Sequence, residues 1–196
     1  MKVAYLLFFL GCLGLGIWAL KPMSISPREA LSISDNGSNN WVWINPNAYI
    51  TGADKEPIIL INQAYSVNVS WKQLSEFLWK DETDKMSYVN DLFTCADYSE
   101  KLHNNAEKSG IRTAFVWMDL EGSVNGHTCN AFQTTDRGLV YIDDTRHTGK
   151  GPNNADKIVD IKIGFNYEPQ HIFPESDWGL KANSMGEVLN IGLSRW

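Results

Sequence analysis

Cysteine is scarce in this chain. Three occur in 196 residues, and only Cys95 and Cys129 lie beyond the first twenty. Two thiols cannot build a disulfide scaffold, and the length supports a core without staples. Basic runs are missing as well: no stretch of Lys or Arg exceeds two residues, and the formal net charge is −6. That composition points away from a nucleic-acid partner, which needs a basic face. The chain has no Cys-x-x-Cys or His-Glu-x-x-His pattern, no internal repeat and no low-complexity block. Cys95, His127 and Cys129 carry zinc-type donor atoms, but without such a pattern neither metal nor cofactor is expected.

There is a single long apolar run, Val3 to Leu20 behind Met1-Lys2. It has the length of a short membrane span and the look of a signal peptide. Residues 1–20 are therefore read as a signal peptide or N-terminal membrane anchor. Residues 21–40, rich in Ser and Asn with Pro22 and Pro27, read as a polar tether. Residues 41–196 form the folded domain, membrane-anchored on the extracytoplasmic side or secreted. The Asn-x-Ser sites at Asn36 and Asn68 fit that side of a membrane.

What the sequence does have is a cysteine at a helix start. Thr94 is a permitted N-cap, and Asp97 three residues on completes a capping-box pattern. Cys95 is then the first helical residue, where the positive end of the helix favours a thiolate. Cys95, Tyr98, Leu102 and Ala106 share one helical face, which turns the thiol inward. Gly110 ends the helix as a C′ residue after Lys108. Ile111 to Met118 reads as a strand and Asp119 to Gly126 as a loop. His127 to Thr134 and Leu139 to Asp143 read as a hairpin across Asp136-Arg137-Gly138.

A thiol nucleophile needs an imidazole to take its proton and a carboxylate to orient that imidazole. Cys95, His127 and Asp143 occur in that order. His127 and Asp143 project to one face if the hairpin pairs residues whose numbers sum to an even value, because side chains alternate. Three alternatives stay open. Cys95 is a buried small hydrophobe, it pairs with Cys129 in a disulfide, or His147 replaces His127 as base.

Other elements are plainer. Trp41 to Ile44 and Pro57 to Ile61 read as strands. Ser70 to Gln73 is a capping box opening a helix over Val69 to Lys80, with Val69 and Leu74 placed as a staple. His103 reads as an exposed mid-helix residue. Ile158 to Ile163 reads as a strand, Phe165 to Asp177 as irregular, and Val188 to Trp196 as a last edge strand. The many tryptophans, Trp117 and Trp178 among them, read as core packing or as an aromatic interface.

The pattern of a helix-start Cys95, Gly110-Ile111-Arg112, a strand, His127-Thr128-Cys129-Asn130-Ala131-Phe132 and Gly138 to Thr145 resembles the transglutaminase-like superfamily. These are cysteine enzymes, and the likeness is to small membrane-associated members in archaea and some bacteria. It covers Tyr88 to Thr145, under a third of the chain. The resemblance implies an α+β fold with a papain-like core, the Cys-bearing helix packed on an antiparallel sheet. It implies a Cys95-His127-Asp143 triad and thiol acyl chemistry on a peptide or protein amide, including those of a cell envelope. The oxyanion donor would be the Cys95 backbone N–H, with Gln63 or Asn130 as a side-chain partner. Two departures stand out: Cys129 where an aromatic is usual, and Asp144 where the family has proline. Asp144 is thus a rival for the third role. The alternative function is a catalytically inactive binding or structural module of the cell surface.

Overall fold

The structure, a computed structural model, describes residues 41–44, 50–146, 156–173 and 181–196. The apolar run 1–20, the tether 21–40, His147 and Trp178 lie outside the described residues. Among these residues no helix is long and apolar enough to cross a membrane.

The fold is mixed α and β. A two-stranded sheet joins β1 (Trp41–Ile44) to β2 (Ile59–Asn62). Two helices follow, α1 (Trp71–Lys80) and α2 (Cys95–Lys108). The rest is β3 (Ala114–Leu120), β4 (His127–Thr134), β5 (Gly138–Asp143), β6 (Lys157–Val159), β7 (Gln170–His171) and β8 (Val188–Arg195). These six form one sheet in the order β7-β6-β5-β4-β3-β8, antiparallel at every junction.

Both helices start where side chains satisfy their first N–H groups. Ser70 and Gln73 close the capping box of α1 in both directions. The α1 residues Trp71, Leu74 and Leu78 meet Leu102 and Ala106 of α2 and Phe132, Val140 and Ile142 of the sheet. Each fully buried leucine there contributes about 1.5–3 kcal/mol by leaving water. Gly110, at φ 79°, ends α2 as a left-handed residue after Ser109.

Several boundaries differ from the sequence reading, each through a tertiary hydrogen bond. Strand β3 starts at Ala114, three residues after Ile111. The Ile111 N–H still bonds back to Ala106, and Gly110 and Arg112 pair with Val67. Its far end runs on to Leu120 because β8 pairs with Asp119 and Leu120. Strand β6 stops at Val159; beyond it Gly164, at φ 84°, turns the chain so that its N–H bonds Val188. His103 is wholly buried rather than exposed, its Nε2 2.7 Å from Asn62 Oδ1. Helix α2 packs on β2 as well as on the sheet, so it has two inward faces.

Candidate active site

Asp97 fixes where Cys95 sits. Its Oδ2 accepts the Thr94 backbone N–H at 2.7 Å and the Thr94 hydroxyl at 2.9 Å. The same oxygen accepts the Ala53 N–H at 3.0 Å, tying the loop before β2 to the helix start. A Cβ at position 52 would lie 2.5 Å from Asp97 Oδ1, so any larger residue there must displace that carboxylate. On the other flank, buried Tyr98 donates its hydroxyl to the Met86 carbonyl, and the Phe93 ring packs edge-on against it at 4.6 Å. The segment leading to Cys95 is thus held from both sides.

The half-buried Cys95 thiol titrates under the influence of the His127 ring and of Thr128. Burial alone would raise its pKa. The hydrogen bond and charge of His127, with Thr128 added, outweigh burial and hold the thiol below its ordinary value. Cys129, buried, is pushed well above the ordinary value, first by burial and then by the charge of Asp143. Both cysteines are free thiols, so the Cys95–Cys129 disulfide is not formed.

His127 opens β4 and is 2 % exposed. The β4–β5 register sets Asn130 opposite Ile142, an even sum, so His127, Cys129 and Asp143 share a face. His127 Nε2 is 3.1 Å from Asp143 Oδ2, so Nδ1 is the ring nitrogen that Asp143 does not engage. Burial disfavours the charged ring, but the charge and hydrogen bond of Asp143, joined by Cys95, raise its pKa to about 10.

Asp143 is fully buried. Its Oδ1 accepts the Thr145 N–H at 2.8 Å, and its Oδ2 also accepts the Tyr167 hydroxyl at 3.0 Å. Burial would raise this carboxyl; the charges of Lys157 and His127 and the bonds from His127 and Thr145 hold it well below the usual carboxylate range. Lys157 is itself buried, with Nζ donating to the Thr145 carbonyl at 3.0 Å.

Asp144 takes no part in this group. It lies one residue past the end of β5, where burial and the carboxyl of Asp156 push its pKa well up. Gln63 and Asn130 also lie elsewhere. The Gln63 backbone N–H bonds Glu107 toward the end of α2 away from Cys95, and Asn130 Nδ2 donates to the Ser99 carbonyl at 2.9 Å. Among the described residues no cluster of three or more His, Cys, Asp or Glu has metal-holding geometry. The sequence reading missed Tyr167 and Lys157. Tyr167 fell in a stretch read as irregular, and no local pattern links it to Asp143, 24 residues away.

Comparison with known proteins gave no matching family model, no matching curated protein and no matching solved structure.

Proposed function

We propose that this domain is an extracytoplasmic thiol hydrolase or acyl transferase of transglutaminase-like type, with a papain-like core. The observation that supports it is the pairing of a buried imidazole with a buried, ionised carboxylate beside a helix-start thiol. The imidazole meets the carboxylate at 3.1 Å and holds the thiol below its ordinary pKa. The resemblance over Tyr88 to Thr145 points the same way.

In this reading the Cys95 thiolate attacks an amide carbonyl carbon and the C=O electron pair moves to oxygen. The Cys95 backbone N–H, which has no partner within the helix, donates to that oxyanion. His127 gives its proton to the leaving amine as the C–N bond breaks, and a thioester remains. Water or a second amine then attacks the thioester while His127 takes the new proton; the C–S bond breaks, the acid or new amide leaves, and the Cys95 thiolate and His127 imidazolium are restored. Asp143 keeps Nε2–H in place and stabilises the imidazolium. The substrate is a peptide or protein amide, such as a cell-envelope cross-link, presented to a domain held at the membrane by residues 1–20.

The test is labelling by a thiol-reactive acyl probe. Cys95→Ser and His127→Ala should each abolish it in folded protein. Labelling that survives both substitutions would sink the proposal.

A further inference from the structure

The segment between β6 and β8 adds a buried phenol to the group around His127. The Tyr167 side chain is wholly buried. Its backbone is held twice, by its N–H to the Gly186 carbonyl at 2.8 Å and by the Met185 N–H to its own carbonyl at 3.0 Å. The ring stands edge-on to His127, centroids 5.0 Å apart at 73°. The hydroxyl donates to Asp143 Oδ2 at 3.0 Å, the same oxygen that meets His127 Nε2 at 3.1 Å. Cys129, on the same strand as His127, is among the groups that act on the phenol's titration.

A buried hydroxyl is costly unless it is bonded, and phenylalanine would fill the same space without that demand. The hydroxyl therefore has a task that the ring does not. Two donors on one carboxylate oxygen divide its charge, and each bond is weaker than it would be alone. We propose that Tyr167 is a positioning residue for the His127–Asp143 pair. Its hydroxyl, by sharing Asp143 Oδ2 with the imidazole, sets how tightly His127 holds its proton. Tyr167 touches no reacting atom and acts through Asp143.

The titratable and charged groups facing this pair are Cys95 from α2, Cys129 from β4, Lys157 from β6, acting on Asp143, and Tyr167 itself. Burial and the Asp143 charge keep the phenol protonated through ordinary pH, so it donates throughout. The catalytic consequence rests on the thiol-enzyme reading. A proton held too tightly on His127 is given up slowly to a leaving amine, and the Tyr167 bond moderates that hold.

The experiment is an NMR titration of the His127 ring in the full chain, beside the rate of acyl-probe labelling. Tyr167→Phe should raise the His127 midpoint by about half to one pH unit, a three- to tenfold change in proton affinity, the size one hydrogen bond supports. Labelling should slow by a similar factor with unchanged probe saturation. 3-Fluorotyrosine at position 167, a stronger donor, should move the midpoint down, and this arm stands even if Tyr167→Phe fails to fold. An unmoved midpoint in either folded variant, or one moved the opposite way, overturns the proposal. Midpoints that move as expected in a chain whose wild type never takes the probe would retain the positioning role and refute the enzyme reading.

Discussion

Asp143 and Asp144 are adjacent in sequence and have different partners. The first meets His127 at 3.1 Å, and the second is buried against the carboxyl of Asp156. Asp143 is the last residue of β5 and Asp144 the first beyond it. The difference in partners resolves the rivalry between the two aspartates as partner of the imidazole.

The two should therefore respond differently to the same change. Asp143→Asn should cut acyl-probe labelling by about a hundredfold or more, since an amide neither fixes the tautomer nor balances the imidazolium. Asp144→Asn should leave labelling within about twofold and raise the melting temperature at neutral pH. A carboxyl whose folded pKa is raised loses stability as pH rises above its unfolded value, and the amide removes that loss. Labelling rates and thermal unfolding of the pair check both outcomes.

Alkylation of Cys95 by iodoacetamide should proceed well below the ordinary thiol pKa of about 8.5, because His127 stabilises the thiolate. His127→Ala should return the profile to the ordinary alkaline range. The pH dependence of the rate, followed in both proteins, decides the matter. A wild-type rate that rises only at alkaline pH would mean the pair is not formed in solution.

Gly52→Ala should displace the helix start. The added methyl would meet Asp97 Oδ1 at 2.5 Å, and Asp97 also caps α2 and holds Ala53. A loss of about 1–3 kcal/mol is expected from the overpacking, with slower Cys95 labelling. Asp97→Ala should cost about 1 kcal/mol through the lost cap. Denaturant unfolding of the two variants measures both.

His103 should make the domain acid-sensitive. Burial lowers its pKa from 6.5 to about 3 in the folded chain. Between those values the unfolded chain holds the extra proton. Its contribution is intact above pH 6.5 and drains away toward pH 3, at most about 1.4 kcal/mol per pH unit. His103→Gln, which keeps a donor toward Asn62, should flatten that slope in a pH series of urea melts.

Much of the local structure was legible in the sequence. The capping boxes at Ser70 and Thr94 located the starts of α1 and α2, and Gly110 located the end of α2, because caps and left-handed glycines are local devices. The hairpin β4–β5 was legible from its turn and alternation. The start of β3 and the short β6 were not, because their limits are set by Val67 and Val188, far away in sequence. The burial of His103 was hidden for the same reason, since only docking against β2 gives α2 a second inward face. The apolar run at the N-terminus lies outside the described residues.

The sequence by itself determined that a thiol opens a helix and that a histidine and an aspartate sit on neighbouring strands. Those facts follow from caps, turns and alternation, which act over a few residues. Only the tertiary structure decided that the hairpin register is even, that Asp143 rather than Asp144 meets His127, and that Tyr167 and Lys157 close around the carboxylate. Register and burial are long-range properties, set when sheet and helices pack, and the pKa values around His127 exist only once that packing has excluded water.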